Sequence, residues 1–82
     1  MNNHNSSIIE RTNILNKINE TINTWSWRIY RVGMTQHEFA KYADVFGAQI
    51  SRWTNHRSVP SIKSFEKVEL ALLQKEKELG LI

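Results

Sequence analysis

Between Gly47 and Asn55 the chain reads GAQISRWTN. If this stretch is helical, residues three and four apart share a face, so Ile50 and Trp53 turn one way while Gly47, Ala48, Gln49, Ser51 and Arg52 turn the other. That second face is small, polar and basic. A side-chain amide hydrogen-bonds bidentately to adenine and a guanidinium to guanine, each worth about 1–3 kcal/mol of discrimination, and a methyl group such as that of Ala48 can touch a thymine methyl. Gly47 and Ala48 make the surface thin enough for close approach. Nearby, Lys41, Ser51, Asn55, Arg57 and Lys63 offer donors and positive charge of the kind that hold phosphate oxygens without reading sequence. The chemistry these types and spacings suit is recognition of double-stranded DNA, with Gly47, Ala48, Gln49 and Arg52 at base edges.

Such a face needs a rigid mount, and the preceding residues supply one. Thr35 with Glu38 three positions later fits a capping box, which fixes the start of a helix running to about Tyr42 or Ala43. Phe39 and Ala40 point inward from it, and the small Ala40 lets a second helix cross at close range. Asp44 falls where the chain must turn sharply, a place whose left-handed backbone suits Gly, Asn or Asp. Val45 plugs the underside of the turn. The second helix, about 47–55, then buries Ile50 and at least one edge of Trp53, completing a helix-turn-helix over about 35–55. Trp53 is expected in the core rather than as a stacking platform for bases.

The segment from Gly33 to about Leu73 resembles the lambda-repressor-like (Cro and cI type) helix-turn-helix family. Met34-Thr35-Gln36, Ala40, Ile50-Ser51-Arg52-Trp53, Asn55 and Val59-Pro60-Ser61 match that family's pattern in type, order and spacing over about half the chain. The resemblance implies an all-α bundle of four to five helices with the second helix of the motif in the major groove. It also implies that Gln36 donates to a phosphate from the start of the first motif helix. The implied function is a repressor or Cro-like transcriptional regulator that binds DNA as a homodimer on a palindromic operator. The setting implied is the cytoplasm of a bacterial or phage-infected cell, on the nucleoid. The chain departs from the family at Asp44, where glycine is usual, at Phe46, where Ser or Thr usually caps, and at Thr54 and His56, which replace a frequent glutamate and glycine. Phe46 cannot cap, so either the recognition helix starts irregularly or Phe46 has its own contact.

Outside the motif the chain reads as helix. Ile8, Leu15, Ile18, Ile22, Trp25, Ile29 and Val32 recur at spacings of three and four, which predicts a single long first helix, started by a Ser7–Glu10 capping box and stopped at Gly33. Arg28 and Ile29 stand interchanged relative to the family's pattern. Trp25 and Trp27, two apart, face different directions, so one belongs in the core and the other outside. The first seven residues, Asn-rich, are expected to be disordered, and residues 8–82 to form one domain. Pro60-Ser61 opens a last helix whose Ile62, Phe65, Val68, Leu72 and Leu73 face the core, ended by Gly80.

Charge distribution favours a polyanion partner near the motif. Residues 1–35 carry four basic against two acidic side chains and residues 36–63 the same, whereas residues 64–82 carry three against four. An 82-residue chain allows one modest core, so an oligomer is unsurprising. With no cysteine there is no disulfide framework or thiolate metal site. No apolar run is long enough to span a bilayer and the first residues lack a signal-peptide pattern, so the cytoplasm is the expected compartment. His4, His37 and His56 lack metal-ligand spacing, and no phosphate loop, nucleophile elbow or carboxylate pair is visible, so no metal, cofactor or enzymatic activity is expected.

Two apolar features exceed what such a core needs: the length of the first helix, and Leu79, Leu81 and Ile82 at the other end. Each is either a dimer contact or a cover folded back over the core. Competing structural roles exist for two of the site residues, Arg52 as an ion-pair partner of Glu38 or Asp44 and Gln36 as a solvated first-turn side chain. The alternative function is a protein-interaction module, antitoxin-like, gripping a partner through the first helix. RNA is a weaker third target, because the A-form major groove is too narrow for a helix.

Overall fold

The computed structural model describes the backbone of residues 3–82 and the side chains from Ile9 onward, and its regular structure among these is entirely helical. In chain order the elements are α1 (Asn3–Ile22), α2 (Trp25–Arg31), α3 (Gln36–Ala43), α4 (Gly47–Thr54) and α5 (Ile62–Glu78). The side chains of His4, Ser7 and Ile8 lie outside the described residues, as do residues 1 and 2 altogether. The backbone of α1 is helical from Asn3, so the start expected at Ser7 falls inside the helix.

The expected single first helix is two helices. Neither Pro nor Gly breaks it. Instead the Thr21 hydroxyl donates to the Lys17 carbonyl at 3.0 Å and the Thr24 hydroxyl to the Thr21 carbonyl at 2.6 Å. Short hydroxyl side chains that bond back to the preceding turn compete with the helix ladder and bend it. Here the break falls at Asn23 and Thr24. The apolar stripe crosses the break intact, with Ile18 half-buried and Ile22, Trp25, Ile29 and Val32 buried. Leu15 does not follow it inward: residues 9–17 of α1 are all exposed, and the molecule measures 50 × 27 × 18 Å, α1 projecting as an arm.

The core forms where α2, α3, α4 and α5 meet the end of α1, from Ile22, Trp25, Ile29, Phe39, Ala40, Ala43, Ile50, Trp53, Val68, Ala71 and Leu72. Each large side chain among them contributes about 1.5–3 kcal/mol on burial. Trp25 is its centre, edge-on to Trp53 with ring centroids 6.3 Å apart and 5.5 Å from Phe65. Two residues expected to face this core from α5, Ile62 and Leu73, are exposed; Ala71 takes the place of the second. In the 3.6-residue period Leu73 lies beside the buried Leu72 but one step further round the helix, past the edge of the contact.

A charged cluster pins α2 to α5. Arg28 donates from Nε and Nη2 to the two carboxylate oxygens of Glu76 at 3.0 and 2.8 Å, and from Nη1 to Glu69 at 2.7 Å. Arg31 donates to Glu76 at 2.7 Å, and the Trp25 indole N–H to Glu69 at 2.6 Å. Glu76 is only 2% exposed. Trp25 thus meets Phe65 and Glu69 while Arg31 meets Glu76, so α2 and α5 run parallel and α1 lies beyond the N-terminal end of that pair. Trp27, 59% exposed, packs its ring under the Arg31 guanidinium at 4.5 Å, which resolves the two-tryptophan question with Trp25 inside.

Four helices end alike. Gly33, Asp44, His56 and Gly80 all adopt positive φ, and after each the next N–H reaches back five residues: Met34 to Ile29, Val45 to Ala40, Arg57 to Arg52 and Leu81 to Glu76. This is the Schellman stop, which glycine enters most cheaply. Asp44, at φ 60 and ψ 48, takes the left-handed conformation expected at the turn. The left-handed region costs an ordinary L-residue about 1–2 kcal/mol, least for Asn and Asp. Asp44→Ala is therefore expected to lower unfolding free energy by about 1 kcal/mol while Asp44→Gly holds or raises it, as read by urea denaturation.

The buried carboxylate generates a second prediction. The Arg28 guanidinium, then Arg31, hold the Glu76 carboxyl below its ordinary range against the opposing effect of burial. A carboxyl whose folded pKa is depressed adds stability that is complete above its unfolded value, about 4.3, and lost as pH falls through the folded one. Glu76→Ala should cost about 1–3 kcal/mol at pH 7, because Arg28 then loses two of its bonds and keeps the one to Glu69. Glu76→Gln should flatten the fall in denaturation midpoint below about pH 4.3 that the unaltered protein shows; an unchanged acid slope would mean that other carboxyls govern it.

Candidate nucleic-acid interface

The capping box at the start of α3 forms as expected. The Glu38 N–H donates to the Thr35 hydroxyl at 3.1 Å and the Thr35 N–H to Glu38 Oε1 at 2.9 Å. These bonds from Thr35 keep the Glu38 carboxyl below its usual range. Glu38 is thereby occupied, and Gln36, the first residue of α3, projects into solvent beside it.

α4 crosses α3 where both are small. Gly47 sits so close to α3 that a Cβ built on it would lie 3.9 Å from Ala40 Cβ and 3.9 Å from His37 Nδ1. The first turn of α4 is therefore brought against α3 between His37 and Ala40. Ile50 and Trp53 are buried beneath α4, and Ala48, Gln49, Arg52 and Asn55 are exposed above it. Gly47 and Ser51 lie between the two faces, half-buried. The Thr54 hydroxyl donates to the Ile50 carbonyl at 3.0 Å, so it belongs to the helix rather than to the outer face.

Arg52 pairs with neither of the carboxylates that could have claimed it. Asp44 instead accepts from Lys67 of α5, at 3.3 Å and almost fully exposed, and Glu38 is held by its cap. Among the described residues the Arg52 guanidinium has no ion pair or hydrogen bond, and the same holds for the side chains of Gln36, Lys41, Gln49, Arg57 and Lys63. Asn55 is partly committed: its amide nitrogen donates to the Ser51 carbonyl at 2.8 Å and reaches the Ser51 hydroxyl at 3.4 Å, closing the end of α4, which leaves the amide oxygen free.

The fold assembles the expected residues unequally. Ala48, Gln49, Arg52 and Asn55 share one helix face by register, and Lys41 and Gln49 line one open cleft of about 620 Å³ between α3, α4 and α5, together with Lys67 and Ser64. Arg57 follows α4 in the linker and Lys63 lies in the first turn of α5; both are exposed, and neither meets the α4 face directly. Lys67, His37 and His56 went unassigned in the sequence. His56 stops α4 in the left-handed region and its Nε2 lies 2.7 Å from Asn23 Oδ1, tying the end of α4 to the break between α1 and α2. A non-glycine at a stop position is the signal that it has a second job.

Internal pairing sharpens the field of this region. Among the described residues, Arg28, Arg31, Lys67 and Lys75 are engaged in ion pairs, and they absorb Asp44, Glu69, Glu76 and Glu78. Within residues 36–63 that leaves Lys41, Arg52, Arg57 and Lys63 opposed by Glu38 alone. The unneutralised positive charge thus concentrates on α3, α4, the linker after them and the first turn of α5. No helix of the described residues is long and apolar enough to cross a membrane. No known protein family, curated protein or solved structure matches this chain.

Proposed function

We propose that the protein is a sequence-specific double-stranded DNA-binding regulator of the lambda-repressor-like helix-turn-helix kind, with α4 as its recognition helix in the major groove. One observation carries the reading: the outer face of α4 presents Ala48, Gln49 and Arg52 to solvent, with no internal partner for either polar side chain, while its inner face is anchored by Ile50 and Trp53. In this reading Gly47, Ala48, Gln49 and Arg52 meet base edges, and Gln36, Lys41, Ser51, Asn55, Arg57 and Lys63 hold phosphates. Two copies engage half-sites about 34 Å apart. They pair through the α1 arm or through the end formed by Leu79, Leu81 and Ile82, all exposed.

A second reading rests on a specific observation too. Ile9, Ile14 and Leu15 on α1 are 60%, 56% and 49% exposed, apolar side chains spread around a projecting helix. That arm suits an antitoxin-like grip on another protein, with the α3–α4 pair as its scaffold.

Selection from a randomised duplex library, followed by titration across salt, separates the readings. Enrichment of a short palindrome, bound far more tightly than bulk DNA and with a steep negative salt slope, supports the regulator. Absence of enrichment moves the function to the α1 arm. On the enriched duplex Arg52→Ala is expected to weaken binding about tenfold or more, in line with the loss of one bidentate base contact, and to leave nonspecific binding within about twofold. Equal losses on both kinds of DNA would make Arg52 a phosphate contact.

A further inference from the structure

We propose that Phe46 is a specificity-determining residue that reads thymine through its C5-methyl group; the inference rests on the DNA-binding reading of α4. Phe46 occupies the N-cap of α4 in extended conformation, φ −79 and ψ 137, and makes no side-chain cap. Ser, Thr, Asp or Asn there would satisfy an orphan N–H of the first turn. The aromatic ring brings no packing in return, for Phe46 is 77% exposed and joins none of the ring contacts of the core. The fold loses at both counts: a cap is missing and an aromatic face is left wet.

Its position supplies the reason. Phe46 directly precedes Gly47, which packs on α3, and Ala48, the smallest side chain of the outer face, and rims the same open cleft as Lys41, Gln49 and Lys67. When the start of α4 approaches the groove floor, the thin wall at Ala48 lets the exposed ring of Phe46 reach the bases ahead of any other large apolar side chain of the helix. The one apolar group that a base pair displays in the major groove is the thymine methyl. The flanking lysines meet phosphates on either side. The ring is thereby desolvated only in the complex, and only against a sequence with thymine at that step.

The test uses the duplex selected by the unaltered protein and versions in which single thymines are replaced by uracil, which lacks the methyl and nothing else. At one step per half-site uracil is expected to weaken binding about fourfold, the effect of one buried methyl. In Phe46→Ala that difference disappears, and affinity for the parent duplex falls about tenfold or more. Phe46→Ser restores a helix cap, so it is expected to melt about 4 °C or more higher while binding as weakly as Phe46→Ala. That rise shows that the affinity loss does not come from a damaged fold. An equal uracil penalty in the unaltered protein and in Phe46→Ala, or no thymine whose methyl matters, overturns the role of Phe46 and leaves the reading of α4 standing. Failure of the unaltered protein to select any duplex overturns both.

Discussion

The contact on which the arrangement depends is the buried Glu76 carboxylate, gripped on both oxygens by Arg28 and on one by Arg31. An ion pair taken out of water loses most of its Coulomb gain to desolvation, so its worth lies in geometry rather than net stability. A guanidinium fork fits a carboxylate in one orientation. With Glu69 held by the same arginine and by the Trp25 indole, sliding or rotating α2 against α5 would break bonds among all five groups. Apolar side chains alone would permit several positions. The price of that choice is the buried Arg31 Nε, which has no hydrogen-bond partner.

Once α2 is fixed on α5, little freedom remains for the rest. Trp25 fills the space that Trp53 and Phe65 border, so the depth of α4 follows from the placement of α2. The helices between are short, and helices of eight residues do not persist on their own. They are kept by side-chain burial and by abrupt stops. Asp44 and His56 each reverse the chain within one residue and are each fastened elsewhere, Asp44 to Lys67 and His56 to Asn23. Those two exposed contacts are individually weak. They matter as direction setters for the ends of α3 and α4.

Much of this was legible in the chain itself, because local rules govern it. The Thr35–Glu38 box, the left-handed Asp44, the burial of Phe39, Ala40, Ile50 and Trp53 and the stops at Gly33 and Gly80 follow from period and capping chemistry alone. The break at Asn23 and Thr24 did not, because an unbroken stripe of Ile22, Trp25 and Ile29 says helix on both sides and the hydroxyl bonds that cause the bend depend on rotamers. The charged cluster was missed for a different reason. Arg28 interrupts an apolar face and Glu69 and Glu76 flank the buried Leu72 at spacings of three and four, yet the pairing joins residues more than forty positions apart. At the outer face of α4 the residues' types and register could be read, but whether Arg52 was free could not, since that turned on Asp44 choosing Lys67.

The residues that hold α4 in the fold and those it presents to solvent are separable in this molecule. α4 is retained by Ile50, Trp53 and the close approach of Gly47 to Ala40, none of which faces outward. Its exposed side chains, Ala48, Gln49 and Arg52, carry no ion pair, no cap and no core contact, so folding places no demand on their identity. Side chains free of structural duty can be exchanged with little loss of stability. Phe46 extends the argument to the position before the helix, where folding does make a demand, for a capping oxygen, and the chain declines it. A residue that works against local stability at the rim of a basic, outward-facing helix is the kind of departure that function explains and packing does not.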